Sequence, residues 1–465
     1  MDVDAAPDGD TLLIRGGMLV TPERLVDADL LLADGKIQAI GTDLSVPPGC
    51  ATVDAGGLLV LPGIIDAHTH LKLDTGAFKT ADTWLEGSRA AAHGGITTVV
   101  DFATQFPGQS FEQALADRLA ETASSAIDYA LHMMVTDLPP GQEDELGVLP
   151  ELGIQSIKMY TTYRPTYYAD DAKLVRWLEA AGRYGLLSLI HCENDAIVAE
   201  HTSALIESGR TGWAYHGMAR PALAEREAVA RVLFLAKEVG APVVIVHNST
   251  ASAAEQVAAA RRAGQVAFCE TGPQYLLLDD AVYAGTEPWR YILQPPIRGP
   301  REAEGLWAAI VDKQMDMLIS DHCDYPRAAK VAYDDFTKTP GGLPGTETLL
   351  PLMASYGVAA GRIAWTDLVR MMAYNPARIY NLWPRKGALT PGADADVVLF
   401  DPTYEGTISA TDLHYVAGYT PFEGMPVKGR VASTLRRGRF LVRDGAFVGE
   451  AGSGQYVPRE PRYWN

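Results

Sequence analysis

Eight short apolar runs rich in β-branched residues alternate with stretches of helical composition through the middle of this chain, and that alternation limits its fold more than any other feature. The runs are Leu58 to Ile65, Ile96 to Phe102, Tyr129 to Val135, Ser156 to Tyr160, Leu186 to Ile190, Pro242 to Val246, Gln265 to Cys269 and Met315 to Ile319. Between them Phe111 to Ser124, Ala172 to Arg183, Ala222 to Val239 and Ala251 to Ala263 have helical spacing. Parallel strands joined by helical crossovers predict a TIM (β/α)8 barrel.

Both chain ends have a different texture. Leu12-Leu13-Ile14 and Ala28 to Leu32 near the start, and Ala395 to Phe400, Arg430 to Leu435 and Arg439 to Arg443 near the finish, read as strands separated by Gly, Pro and Asp turns. Together they predict one smaller β-sandwich domain. The expected division is 1–57 and 386–465 for the sandwich and tail, with the barrel at 58–385. A chain of 465 residues, 47% of them apolar, suffices for both cores.

A TIM barrel carries its chemistry at the C-terminal ends of its strands. The first run leads into Asp66-Ala67-His68-Thr69-His70, and alternation along a strand turns His68 and His70 to one side, within reach of one metal ion. The fourth run carries Lys158, the fifth ends at His191, the sixth at His247, and the eighth at Asp321 with His322 behind it. Each residue alone has a structural explanation as a satisfied polar group or a helix cap. Their shared placement on one rim argues for a metal centre. His93, His132, His201, His216 and His414 lack that placement and are read as structural.

Lys158 lies inside a strand, where an unpaired ammonium is costly. From the residues alone, an ion pair with Asp321 or Asp101 is expected; a neutral amine there could instead take up carbon dioxide as a carbamate able to bridge two cations. The glycine-rich stretch Pro340 to Gly345 lacks the Lys-Ser/Thr ending of a P-loop and reads as a loop over the barrel mouth. Tyr160, Tyr163, Tyr167 and Tyr168 form either a surface patch or a gate beside the pocket.

A formal net charge of -19 argues against a nucleic acid or an anionic membrane as partner. No segment has the roughly 18 to 20 uninterrupted apolar residues of a membrane span, and Met1 to Asp10 lacks a signal peptide's basic and apolar regions, so a cytoplasmic location is expected. The cysteines at 50, 192, 269 and 323 form no disulfide framework and read as reduced thiols.

Several motifs, taken together, resemble the dihydropyrimidinase and hydantoinase branch of the amidohydrolase superfamily. They are Leu61 to His70, Gly94 to Phe102, Ile190-His191-Cys192-Glu193-Asn194, Glu270 to Leu276, Ser320-Asp321-His322-Cys323 and Gly392 to Asp396. The resemblance implies two divalent ions per chain, usually zinc, bridged by a carboxylated Lys158. His68, His70 and Asp321 would hold one ion, and His191 and His247 the other. It implies hydrolysis of a small cyclic ureide or imide at a C–N bond, giving an N-carbamoyl acid from a dihydropyrimidine or hydantoin. Asp321 would act as general base and acid, Tyr163 would stabilise the oxyanion, and the chain would form a homotetramer.

The chain departs from the family pattern at three candidate substrate-binding positions. Gln294 stands where a serine is usual, Gly341 where an asparagine is common, and Lys72 where hydantoinases often carry an acidic residue. The alternative activity is an allantoinase or a hydrolase for an acidic ring, the latter dihydroorotase-like with Lys72 binding the carboxylate and Lys79 and Arg164 nearby. The bland reading has Lys72 paired with Asp74 or facing water. A non-catalytic assembly protein of the same fold is the remaining alternative.

Overall fold

The computed structural model describes residues 11–462. Eight parallel strands form one sheet in chain order: Ile64–Asp66, Ile96–Gln105, Asp128–Val135, Ser156–Tyr160, Leu187–His191, Val243–Ile245, Ala267–Thr271 and Met317–Leu318. The ring closes between its first and last members. Ser320 Oγ donates to Asp66 Oδ2 at 2.5 Å, and the His70 amide donates to the His322 carbonyl at 2.7 Å.

Both faces of this sheet are buried, which is why its strands read as continuous apolar runs. Ile65, Val100, Ala130, Leu189, Val244 and Met317 fill the barrel, while Val99, Leu131, Ile157 and Ile190 face the helices. The helical stretches expected from spacing appear as Phe111–Glu121, Asp171–Arg183, Ala222–Glu238 and Ala251–Arg262. Trp84–His93, Asp195–Glu207 and Pro300–Val311 are further crossover helices outside those stretches. Two of them carry glycines that weaken the helical signal but permit close packing, since a Cβ on Gly87 would strike Leu71 and one on Gly305 would strike Ala251.

The chain ends do meet in a second β domain, with a four-stranded and a seven-stranded sheet. The run Leu58 to Ile65 is not one strand, however. Leu59–Pro62 pairs antiparallel with residues 397–400 in the seven-stranded sheet, and only Ile64–Asp66 enters the barrel. At the turn between them a Cβ on Gly63 would collide with Thr97 and Asp396. We propose Gly63, rather than residue 57/58, as the division between the domains. The tail returns to the barrel: Val457 donates to the Tyr129 carbonyl at 2.7 Å, and buried Arg459 reaches Ser156 Oγ at 3.0 Å. Among the described residues, no helix is long and apolar enough to cross a membrane.

Candidate active site

The strand ends bring His68, His70, Lys158, His191, His247 and Asp321 into one cluster. Lys158 and His191 follow the inward alternation of their strands, as Asp321 follows Met317 and Ile319. His247 does not, because Val244 and Val246 already face inward; it turns to the mouth through a backbone φ of 35°. Asp321 (φ 52°) and Tyr163 (φ 75°) also occupy the left-handed region. For side chains of this size such a conformation costs on the order of 1–3 kcal/mol, and it persists only where the surroundings enforce it.

His68 Nε2 and His70 Nε2 each lie 3.5 Å from Asp321 Oδ1, and His191 Nδ1 lies 3.0 Å from His247 Nε2. The rings of His68 and His247 are 5.5 Å apart. Burial holds His68, His191 and His247 below the usual imidazole range, so the rings are neutral, the form that binds a cation. Burial alone would raise Asp321, but His68, His70 and Lys158 outweigh it and keep it a carboxylate.

Lys158 is fully buried, and its Nζ meets His68 Nε2 at 3.3 Å and the faces of Phe102 and Tyr160. The expected ion pair is absent. Asp101 is engaged by Arg118 at 2.6 Å and by the Thr69 hydroxyl at 2.8 Å, and among the described residues no carboxylate comes within ion-pair distance of Lys158. Burial accordingly pulls its amine down to about 8, against the fields of Glu270 and Asp321. An uncompensated amine among neutral imidazoles is what a carbamate bridge between cations requires.

Two glutamates missed by the sequence reading orient the rings. Glu270 Oε1 engages His68 Nδ1, directing Nε2 to Lys158 and Asp321. Burial lifts the Glu270 carboxyl to about 8 against the field of Lys158; added cationic charge would return it to carboxylate. Glu193 Oε2 accepts from His191 Nε2 at 2.8 Å and from Arg220 Nη2 at 2.6 Å. Burial would raise Glu193, but Arg220 and His191 hold it well below the usual range. Such outer carboxylates are what a metal-binding imidazole needs. Each sits within a motif already noted and at a strand end, Glu193 just behind His191, and that placement was the available signal. His68, His70 and Asp321 converge closely enough to hold a metal ion, and the neutral His191 and His247 beside them have the chemistry of further ligands.

The sequence pattern of the amidohydrolase family matches residues 59–441. The chain belongs to the amidohydrolase family. It is 40% identical over 455 residues to a D-hydantoinase of Geobacillus stearothermophilus, covering 97% of this chain and 96% of that protein. A D-phenylhydantoinase of Escherichia coli O1:K1 is 37% identical over 455 residues, with 97% and 98% covered. The crystal structure of dihydropyrimidinase from Brevibacillus agri superposes with a TM-score of 0.94 at 37% identity, covering 97% of this chain and 99% of that one. Amidohydrolases of this family depend on metal, in keeping with the cluster.

In this amidohydrolase Tyr163 packs beside the cluster, its ring 5.0 Å from that of His191 and 5.3 Å from the Arg220 guanidinium. Burial raises its phenol, so the hydroxyl keeps its proton. Tyr160 and Tyr167 pack against each other and against this wall, whereas Tyr168 lies under Arg164. Gln294 and Gly341 meet at the mouth, where a Cβ on Gly341 would fall inside the Gln294 carboxamide. Lys72 is exposed at φ 49°; Asp74 is taken by Lys79 at 2.7 Å, and Arg164 pairs with Asp195. No cation cluster for an acidic ring forms there among the described residues. His132 and His216 are buried structural groups, bonded to Ser156 and the Leu293 carbonyl.

Proposed function

We propose that the protein opens a neutral cyclic amide, a dihydropyrimidine or hydantoin, by hydrolysis to the N-carbamoyl acid. The observation that carries this reading is the buried Lys158 amine, without a carboxylate partner among the described residues, beside three neutral imidazoles and Asp321. The full-length likeness to hydantoinases supports the choice of ring. We further propose that Lys158 takes up carbon dioxide, its amine nitrogen bonding to carbon with release of one proton. His68, His70 and Asp321 would then hold one zinc ion and His191 and His247 a second, with the carbamate between them. Bound there, the cations would polarise the ring carbonyl and acidify water enough to supply hydroxide near neutral pH.

The chain's own groups do the rest. Asp321, held as a carboxylate, accepts the proton of the attacking water and delivers it to the departing ring nitrogen. Tyr163, whose phenol stays protonated, donates to the oxygen that gains charge as the carbonyl becomes tetrahedral. Glu193 and Glu270 hold their histidines in register throughout. We propose a homotetramer in the cytoplasm; exposed Leu223 and Phe234 on one helix and Val311 on another offer apolar contact surface.

The test is a panel of dihydrouracil, 5-substituted hydantoins, allantoin, dihydroorotate and cyclic imides on zinc- and bicarbonate-reconstituted protein. Dihydrouracil and hydantoins should be consumed with one N-carbamoyl acid formed per ring. Turnover of dihydroorotate alone would overturn the neutral-ring reading, and inertness towards the whole panel would overturn the activity. Light scattering checks the tetramer.

A further inference from the structure

Lys330 ends the short helix Arg327–Lys330 and is completely buried. Its Nζ donates to three backbone carbonyls, Ile292 at 2.7 Å, Pro340 at 3.0 Å and Gly342 at 3.0 Å. Among the described residues no carboxylate lies within ion-pair distance of it. Burial pulls such an amine down, to about 7, while three converging acceptors favour the ammonium, the only form with three N–H groups. A buried cation held solely by main-chain oxygens costs stability, and a hydrophobic side chain of similar length would avoid that cost.

The three carbonyls belong to two segments that border the candidate site. The 340–345 loop lies against the strand end carrying Asp321: the Cys323 amide donates to the Leu343 carbonyl at 2.9 Å, and the Gly345 amide to His322 Nδ1 at 3.1 Å. The other segment contains Gln294 and is tied down by His216 Nε2 on the Leu293 carbonyl at 2.7 Å and by Tyr275 Oη on the Pro295 carbonyl at 3.0 Å. Between the segments the direct contacts are the Gly342 amide on the Ile292 carbonyl, at 3.0 Å, and the Gln294 carboxamide resting on Gly341. Among the described residues the Gln294 carboxamide makes no side-chain hydrogen bond that would fix that seat, and Gly341 has no side chain to grip it.

We infer that Lys330 is a positioning residue for substrate: its ammonium locks the Gln294 segment to the 340–345 loop, so that the carboxamide stays seated over Gly341 at the mouth beside Asp321. The cation touches neither the ring nor the metal ligands. It acts on binding through Gln294. The inference rests on the cyclic-amide reading above, which names what the mouth must hold.

The experiment compares wild type, Lys330→Met, Gln294→Ala and the double variant in zinc-reconstituted form. With dihydrouracil, Lys330→Met should raise KM about tenfold while kcat stays within about threefold and metal content is unchanged. The double variant should be no worse than Lys330→Met, because the carboxamide is already unseated. KM changes that multiply, or a loss confined to kcat, would overturn the inference. If Lys330→Met does not fold, Lys330→Gln, which retains an amide donor, takes its place in the same cycle. Hydrogen exchange on the same proteins needs no substrate and separates this inference from the activity. Lost protection confined to 290–297 and 340–345 supports the lock, whereas unchanged protection there overturns it even if the wild type proves inert.

Discussion

Glu193 accepts the His191 Nε2 proton at 2.8 Å, which leaves Nδ1 as the only lone pair on that ring, 3.0 Å from His247 Nε2. Arg220 keeps Glu193 charged for this task. Replacing Glu193 with Ala should weaken binding of the second ion about 10- to 100-fold while leaving the ion at His68, His70 and Asp321 in place. Metal titration against a chelator checks this, and equal loss of both ions would contradict it.

Lys158→Ala should lose the bridge and nearly all activity. Because the missing group is a carboxylate, acetate or propionate together with zinc should restore part of the activity, whereas the same acids should do nothing for the wild type. Rates across an acid series report the outcome. A fully active Lys158→Ala enzyme would remove the carbamate from the scheme.

If Tyr163 donates to the oxyanion as proposed, Tyr163→Phe removes that single donor while the ring keeps its packing against His191. A loss on the order of 100- to 1,000-fold in kcat is expected, with a much smaller change in KM. An effect on KM alone would make Tyr163 a binding residue.

Acid should loosen the junction between barrel and sandwich. Lys386 Nζ lies 2.7 Å from Asp128, 2.7 Å from Asp396 and 3.0 Å from Asp394, and Lys36 and Arg385 also reach Asp394. Burial would raise Asp394, but these cations hold it at about 2, below the roughly 3.9 of an unfolded aspartate. A lowered carboxylate stabilises the fold above the unfolded value and loses that contribution as pH falls through the folded one. Lys386 itself is raised above its ordinary value, so its contribution is lost only in strong alkali. Wild type should therefore melt above Asp394→Asn at pH 6, and the gap should close between about pH 4 and about pH 2. Lys386→Met leaves Asp396 with no cationic partner among the described residues, while Asp394 keeps Lys36 and Arg385 and Asp128 keeps Arg437, and should cost on the order of 3–5 kcal/mol. Calorimetry of the three proteins across this range is the measurement.

Much of the barrel was legible because its signal is local. A strand buried on both faces must be apolar throughout, a crossover must be helical, and polar residues just past such a strand stand on the catalytic rim whatever else the chain does. That logic points to His68, His70, His191, His247 and Asp321 at the strand ends, and to Lys158 as the cation inside an otherwise apolar strand. Tertiary structure alone decided which groups pair. Asp101 has Arg118 and leaves Lys158 alone, a choice made by helix Phe111–Glu121 packing over its strand. The run Leu58 to Ile65 breaks at Gly63 because its first half finds hydrogen-bond partners at 397–400, more than 300 residues away. Glu193 meets its cation Arg220, Glu270 meets His68 and Lys330 meets the Ile292, Pro340 and Gly342 carbonyls on other segments, and periodicity cannot report such meetings: it records which face a side chain takes, not what waits there.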